Sequence, residues 1–355
     1  MYITATSKVL PEHRYNQQEL TAILKNLWRS RTDERVLNRL DKFHDSVQVK
    51  TRHLALPKGS YEQLDSFTKS NQAFIEAGTA LAHDAVKKAL TAAELEPTDL
   101  DAIFFTTITG LAVPTIDARL MNTLHLRRDV KRMPFFGLGC VAGVAGIARM
   151  HDYLAAYPTH SAALVAVELC SLTLQSADIS AANAIASGLF GDGAATVIGV
   201  GEKRKKPPYK KQPKILKTKS CFYYDSEDVM GWDIGSEGFR IILNAKIPQY
   251  VAEYLPADLD SFLAESNLSR KDIATWVCHP GGPKVLEAME HAIGVSRDTL
   301  DLTWKSLEDV GNLSSASVMF VLADTIEKRP GKEGEYGVMI AMGPGFCSEL
   351  VLFQW

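Results

Sequence analysis

The sequence predicts a protein of the α/β class, in which helices and sheets lie in layers and two duplicated halves build the fold. Three observations support this. Helical and strand-like segments alternate, the strand-like segments are apolar, and a set of segments recurs at a nearly constant offset. A chain of 355 residues with 46% hydrophobic and 23% charged residues can bury a large core. This composition excludes disordered, collagen-like and small disulfide-stabilised proteins.

Two segments show helical patterns. Asn16 followed by Glu19 resembles a capping box, and apolar residues recur at helical spacing over the next two turns. A second helical pattern covers 74–89, and the Ser-Asn pair at 70–71 is the expected cap.

Six short β-rich runs predict strands. Most show little alternation of polar and apolar residues, which is typical of strands covered on both faces by helices. The runs are 102–107, 163–169, 194–200, 275–279, 337–342 and 350–353.

The duplication is seen in two pairs of segments. Segments 95–107 and 268–280, offset by 173, share a leucine, an aspartate four residues later and then a strand. At nearly the same offset, Cys140 and Asn312 each follow a glycine and open a run of small and apolar residues. The order and spacing predict a repeated α/β unit. Because equivalent helix starts would converge near the pseudo-twofold axis, we expect Cys140 and Asn312 to face one cavity.

A basic segment separates the two copies. We expect an N-terminal half at 1–202, a basic surface loop at 203–216 and a C-terminal half at 217–355. Residues 201–220 hold nine Lys or Arg and one acid, whereas the whole chain has a net charge of −3. Prolines interrupt the segment, so it resembles a solvated loop. A nucleic-acid patch is the alternative, but no recognised nucleic-acid motif accompanies it.

The cysteines and the apolar runs indicate the compartment. Five cysteines show no CxxC pairing, which favours free thiols in a reducing cytoplasm. No apolar run is long enough for a membrane helix, and the first residues lack the pattern of a signal peptide. We therefore expect a cytoplasmic protein without a membrane span.

Cys140 is the first candidate catalytic residue. It follows an apolar segment and begins a helix of small residues, in the sequence FFGLGCVAGVAGIA. Free amide donors and the positive helix terminus are expected to lower the pKa of its thiol towards neutrality. A buried structural cysteine is the alternative.

His279 and Asn312 are the other two candidates. His279 ends a strand, where α/β folds place their clefts, although a turn histidine bonded to backbone is the alternative. Cys278 beside it suggests a metal pair, but neighbouring strand residues point to opposite faces, so we expect no metal. Asn312 could simply cap a helix. Taken together, a thiolate and two neutral donors suit acyl transfer through a thioester, with stabilisation of an enolate.

Two glycine-rich segments resemble phosphate cradles. Their spacing matches neither the P-loop nor the dinucleotide fingerprint, so we expect tight turns that let backbone line a pocket. The glycines are Gly191, Gly193, Gly343 and Gly345.

Five motifs, GCVAG, LFGDGAA, HPGGP, GNLSSAS and MGPGF, lie in this order between 139 and 346. In this order and spacing the chain resembles the type III polyketide synthases, the chalcone-synthase-like branch of the thiolase fold. The resemblance implies a thiolase-like αβαβα homodimer in which Cys140 is loaded from acyl-CoA. His279 and Asn312 would bind malonyl-CoA, drive its decarboxylation and stabilise the enolate. The product would be a pyrone or a resorcinol-type ring, made without a cofactor beyond the CoA substrates.

The resemblance also assigns the cavity. Phe190 falls on one gatekeeping phenylalanine, Ile241 replaces the second, and Trp232 stands where plant enzymes commonly carry glycine. Three further residues fall on cavity-lining positions: Cys170, which replaces a common threonine, Thr173 and Ser314. These replacements favour an aliphatic starter.

The resemblance places part of a CoA-binding cluster on Arg39 and Lys42, with Ser46 in the third position. Their spacing suits two phosphate contacts from one helix face, and a solvated face is the alternative. An acyl carrier protein that docks on the basic loop is an open alternative. A β-ketoacyl-acyl-carrier-protein synthase III-like enzyme would share the Cys, His and Asn, but HPGGP and MGPGF favour the polyketide synthases.

Overall fold

The structure is a computed structural model that describes residues 1–204 and 212–355. The strands in these residues are β1 (Tyr2–Val9), β2 (His13–Asn16), β3 (Thr51–Leu54), β4 (Ala102–Thr106), β5 (Lys131–Phe135), β6 (Ser161–Leu169), β7 (Asp192–Val200), β8 (Lys214–Phe222), β9 (Met230–Gly235), β10 (Gly238–Leu243), β11 (Ile273–Cys278), β12 (Tyr336–Gly343) and β13 (Cys347–Gln354). The α-helices are α1 (Gln17–Trp28), α2 (Glu34–Ser46), α3 (Phe67–Ala92), α4 (Ile116–Thr123), α5 (Ala142–Ala156), α6 (Ala181–Leu189), α7 (Ile247–Ala264), α8 (Pro283–Ile293), α9 (Asp301–Val310) and α10 (Ser317–Lys328).

Nine strands form one mixed sheet in the order β11-β12-β13-β8-β1-β7-β6-β4-β5. Apart from the edge strand β5, the order is symmetric about the β1–β8 pair. On each side two antiparallel pairings are followed by a parallel one, so β1, β7, β6 and β4 correspond to β8, β13, β12 and β11. The corresponding strands β4 and β11 each follow a 3-10 turn with a capping box, closed by Asp99 in one copy and Asp272 in the other. The duplication predicted from the sequence is therefore visible in the sheet.

Three apolar clusters show the layers. In the central cluster, α5 and α10 pack against each other and against strands of both halves. A second cluster places α3 and α4 over the strands of the N-terminal half. A third places α7, α8 and α9 over those of the C-terminal half. This arrangement is the predicted αβαβα layering, with the starts of α5 and α10 in its middle.

The strand predictions are confirmed for all six apolar runs, whose ends differ from the observed strands by at most three residues. β6 and β7 are buried along their whole length, as expected for strands covered on both faces. Seven strands of the described chain were not predicted from the sequence. Two are β1 and β8. The other five gave no clear strand pattern because they are short or alternate with exposed residues: β2, β3, β5, β9 and β10. None of the described helices is long and apolar enough to cross a membrane.

The helix starts are partly confirmed. The Asn16 side chain accepts from the Glu19 backbone N–H at 2.8 Å and caps α1 as predicted. The cap predicted at 70–71 is wrong, because α3 begins four residues earlier and Ser66 caps it. Asn71 instead bonds the backbone of Leu111 through both its amide oxygen and its amide nitrogen. A tertiary contact thus uses the residue that the local pattern marked as a cap.

The expected basic loop is shorter than predicted. Residues 205–211 lie outside the described residues. β8 begins at Lys214, so the prediction of a loop up to 216 is wrong for its last three residues. Ile215, which is 1% exposed, pairs with Phe353 of β13 and joins the central core.

Candidate active site

Cys140 lies in a 3-10 turn, Gly139–Val141, that leads directly into α5. Gly139 has φ 53°, and a Cβ there would lie 2.8 Å from Pro344 Cδ. A Cβ on Gly343 would lie 2.7 Å from the Val141 nitrogen. The end of β12 therefore packs against the backbone of the cysteine turn, and only glycine permits this approach.

The thiol of Cys140 is enclosed. Its Sγ lies 3.7 Å from Ser314 Oγ. Burial raises the pKa of Cys140 to about 12, while hydrogen bonds from Ser314 and Asn312 act in the opposite direction. The carboxyl group of Glu168 adds to the rise. The predicted fall towards neutrality is therefore wrong for the free protein, because loss of solvent outweighs the donors at the helix start.

His279 follows the last residue of β11 and is 2% exposed. Neither ring nitrogen has a hydrogen-bond partner among the described residues. Burial lowers the pKa of His279 to about 3, so the imidazole is neutral at physiological pH. Both ring nitrogens are buried and unpaired within the described part of the chain.

Asn312 joins three parts of the site. Its backbone N–H donates to Leu189 O at 2.9 Å, and its carbonyl accepts from Gly191 N–H at 3.0 Å. Its side-chain oxygen accepts from Ser314 N–H at 2.8 Å, while Nδ2 donates to Gly281 O at 3.4 Å. The amide is thus fixed between the LFGDG segment and the HPGGP segment.

These contacts link Cys140 and Asn312 with the segment that carries His279. Cys140 contacts Ser314 and Asn312, and Asn312 contacts Gly281. Gly281 is two residues from His279 in sequence, and a Cβ on Gly281 would lie 3.6 Å from His279 Cδ2. A sulfur nucleophile, a neutral imidazole and a carboxamide are the groups that suit acyl transfer through a thioester.

A cavity of about 940 Å³ opens beside Cys140. The six residues that the resemblance assigned to the cavity all line it: Cys170, Thr173, Phe190, Trp232, Ile241 and Ser314. Trp232 and Ile241 are directly opposite each other on the β9–β10 hairpin. His279 and Asn312 are not on this wall. Cys140 faces the cavity and Asn312 does not, so the expectation that both face one cavity is wrong.

One buried carboxylate was missed in the sequence. Glu168, near the end of β6, accepts from Ile108 N–H at 3.1 Å and Thr109 Oγ1 at 2.9 Å, and also from the Ser315 hydroxyl. Burial raises the pKa of Glu168 to about 7. The signal was present, since an acid in the apolar run 163–169 must be satisfied by buried donors.

Arg39 and Lys42 lie on α2, both exposed and both off the cavity wall. Ser46 is the last residue of this helix and is also exposed. α2 packs against α6, which leads into Phe190. The structure therefore presents the two cations to solvent near the segment that carries Phe190.

Two family descriptions match nearly the whole chain. "Chalcone and stilbene synthases, N-terminal domain" matches residues 1–203, and "Chalcone and stilbene synthases, C-terminal domain" matches residues 214–354. The break between them falls in the basic segment.

Two relatives and one solved structure illustrate the similarity. A 1,3,6,8-tetrahydroxynaphthalene synthase from Streptomyces peucetius subsp. caesius is 47% identical, and the alignment covers 99% of this chain and 93% of that protein. A putative chalcone synthase from Bacillus subtilis is 36% identical over 100% of this chain and 98% of its own. The crystal structure of 1,3,6,8-tetrahydroxynaphthalene synthase from Streptomyces coelicolor A3(2), a bacterial type III polyketide synthase, superposes with a TM-score of 0.93 at 28% identity. It covers 100% of this chain and 99% of that one.

Proposed function

The chain belongs to the chalcone and stilbene synthase family and is a type III polyketide synthase, and on this premise we propose how its residues divide the reaction. Cys140 carries the acyl chain, and His279 and Asn312 act on the extender thioester. The observation that supports this assignment is the series of contacts from Cys140 through Asn312 to Gly281, two residues from His279, with Cys140 on the cavity wall. A carrier-protein-dependent synthase is not favoured, because both domains match the chalcone and stilbene synthases.

The loading step needs a base, because burial keeps Cys140 protonated. The neutral imidazole of His279 takes the thiol proton as acyl-CoA arrives. Sγ then attacks the thioester carbonyl, the bond to the CoA sulfur breaks, and CoA leaves as a thiol with the proton that His279 returns. The acyl group is left on Cys140 as a thioester.

The extension step needs donors but no strong acid. In malonyl-CoA the bond between the carboxylate and the α-carbon breaks, carbon dioxide leaves, and the electron pair passes to the thioester oxygen. His279 and the Asn312 amide donate to this enolate without protonating its carbon. The carbon then attacks the acyl group on Cys140, a carbon–carbon bond forms, and Sγ leaves as thiolate. We also propose that no cofactor takes part, since these steps balance without one.

The product proposal follows a relative. The 47% identical protein is named for 1,3,6,8-tetrahydroxynaphthalene, so we propose that this chain builds a polyhydroxylated aromatic from malonyl-CoA. The aliphatic starter and its pyrone or resorcinol-type product stay as the second prediction. They are favoured by the apolar face of α1, which adds Leu20, Ile23, Leu24 and Leu27 to the cavity wall.

We propose a homodimer with this site beside the subunit boundary. Val113 is 99% exposed, and Leu111, Phe136 and Phe222 are further exposed apolar residues. The β5 edge of the sheet, close to Phe136 in sequence, has no partner strand among the described residues. A second copy would cover both features.

Charged surface residues and free cysteines suggest the other partners and the compartment. The exposed Arg39 and Lys42 suit the phosphates of CoA, and the basic segment is the proposed contact for an acyl carrier protein. The five cysteines are free, which supports a cytoplasmic location.

The test incubates the purified protein with malonyl-CoA alone and with a series of aliphatic acyl-CoAs, and follows product mass and carbon dioxide release. Malonyl-CoA alone should give an aromatic polyketide. Hexanoyl-CoA with malonyl-CoA should give a pyrone or resorcinol-type ring if the second prediction holds. Release of free CoA and fatty acid without any condensed product would refute the proposal.

A further inference from the structure

The cavity wall carries a buried cation that the reaction above does not use. Arg52, in β3, is 5% exposed. Its Nε donates to Gln17 Oε1 at 3.1 Å, and Nη1 donates to the carbonyls of Ser187 and Phe190 at 2.5 and 3.0 Å. Among residues 1–204 and 212–355, no carboxylate oxygen lies within ion-pair distance of this guanidinium. A buried arginine without such a partner is rare, because burying an isolated charge is costly.

One donor group of Arg52 is left over. Nη2 has no acceptor in the described part of the chain, and protein does not enclose it completely. Arg52 lines the cavity beside Cys140, so Nη2 is the donor group that remains for a ligand there. Burial lowers the pKa of Arg52 only to about 10, so the cation persists at neutral pH.

The nearest acid does not complete the pair. Asp192 interacts with Arg52 over a longer range, but its oxygens are occupied by Ser171 N–H at 2.8 Å, Ala55 N–H at 2.6 Å and the Ser171 hydroxyl. Tyr61 O–H also bonds Ser171 Oγ at 2.6 Å. The network holds the polar wall rigid and leaves a positive group facing the cavity.

We propose that Arg52 binds an anionic oxygen pair on the acyl chain attached to Cys140. This inference rests on the proposed function. A guanidinium binds a planar pair of oxygens with two parallel donors. Two sources fit this chemistry: the carboxylate of a malonyl group loaded as starter, and the enolate of a 1,3-diketone unit in the growing chain. Both lie within the cavity and both are absent from a simple aliphatic acyl group.

A purely structural role is the competing explanation. Ser187 and Phe190 lie at the C-terminal end of α6, and a cation there satisfies free carbonyls. Loss of that cap would disturb Phe190 and would lower every partial reaction together, whatever the substrate.

The experiment compares Arg52→Gln and Arg52→Lys with wild type. Arg270→Gln is the matched control, since Arg270 also bonds backbone carbonyls, those of Ala292 and Pro256, but lies off the cavity. Three quantities are measured: acylation of Cys140 by hexanoyl-CoA, kcat/KM for malonyl-CoA alone, and product length from hexanoyl-CoA with malonyl-CoA. Thermal melting reports folding.

Arg52→Gln should acylate with hexanoyl-CoA at nearly the wild-type rate and lose about 10- to 100-fold in kcat/KM with malonyl-CoA alone. If the starter carboxylate is the ligand, hexanoyl-started products keep their length. If the diketone enolate is the ligand, those products become shorter. Arg52→Lys keeps the charge and should show the same selectivity with a smaller loss, including where Arg52→Gln does not fold.

Equal loss in all three quantities, or no loss in any, would overturn the inference. Failure of the proposed function is a different result, because wild type itself would then not acylate Cys140 or release carbon dioxide.

Discussion

The turn at Cys140 and the turn after Asn312 are equivalent parts of the two halves, and they share one frame. Each follows a glycine with positive φ, 53° at Gly139 and 77° at Gly311. Each continues through a 3-10 turn, Gly139–Val141 or Ser314–Ala316, into one of the two central helices. The helices pack together, so both turns meet at the centre of the molecule.

The side chains make the two turns different. The Asn312 amide holds its own turn, since Oδ1 accepts from Ser314 N–H and Nδ2 donates to Gly281 O. The Cys140 thiol instead lies 3.7 Å from Ser314 Oγ and borders the cavity. The duplication thus supplies two central positions, and one side chain at each decides which is a nucleophile and which is a fixed donor.

Removing the sulfur of Cys140 should have the largest effect on activity. Cys140→Ala should abolish acyl loading and lower condensation by about 1,000-fold or more, because no other group can form the thioester. Malonyl-CoA decarboxylation should persist, since its proposed donors, His279 and Asn312, are unchanged. Carbon dioxide release and the intact mass of the protein measure the two steps.

Cys221→Ala is the control, because this thiol is free and does not line the cavity. Equal loss of loading and decarboxylation in a folded Cys140→Ala protein would contradict the division between the turns.

Removing the amide gives the reverse pattern. Asn312→Ala deletes one donor to the enolate, so decarboxylation should fall about 100-fold while hexanoyl loading on Cys140 continues. The same two measurements apply, with Asn122→Ala, an exposed asparagine on α4, as control. A variant that still decarboxylates at the wild-type rate would remove Asn312 from the proposed mechanism.

A smaller effect is expected from the cavity wall. Trp232→Gly removes an indole opposite Ile241 and should shift the preference towards longer starters or additional extensions by about tenfold. Ile234→Gly loosens the same hairpin at an exposed position off the cavity and controls for backbone effects. Competition between acyl-CoAs of different length, read by product mass, gives the result. An unchanged product profile would show that Trp232 does not limit the cavity.

The last prediction concerns stability rather than activity, and it involves Glu168, which accepts from the Ser315 hydroxyl in one turn and raises the pKa of Cys140 in the other. Its pKa in the folded protein, about 7, lies above the ordinary value of 4.5. The associated stability is therefore fully present below about pH 4.5 and is lost as the pH rises through 7. Between pH 5 and pH 8 wild type should lose up to about 3 kcal/mol more than Glu168→Gln.

Urea unfolding of both proteins at the two pH values measures this difference. The same dependence on pH in both proteins would show that Glu168 titrates normally.

The sequence was informative where a pattern is local or is repeated in both halves. Apolar runs revealed the buried strands, and the offset between Cys140 and Asn312 revealed the shared centre. Recognisable motifs then located the cavity residues. The networks of Glu168 and Arg52 were missed because their partners lie far away in the chain, as with the Arg52 bond to Phe190 O. The pKa of Cys140 was mispredicted for a similar reason, since burial depends on tertiary packing rather than on the helix start.

The role proposed for Cys140, to carry the acyl chain beside the cavity, underlies every step of the proposed reaction. The most direct test incubates the protein with hexanoyl-CoA alone and maps the adduct on its peptides by mass spectrometry. One hexanoyl group per chain is expected, on the peptide that contains Cys140. An adduct on Cys170 or Cys278, or none on a folded protein, would contradict it.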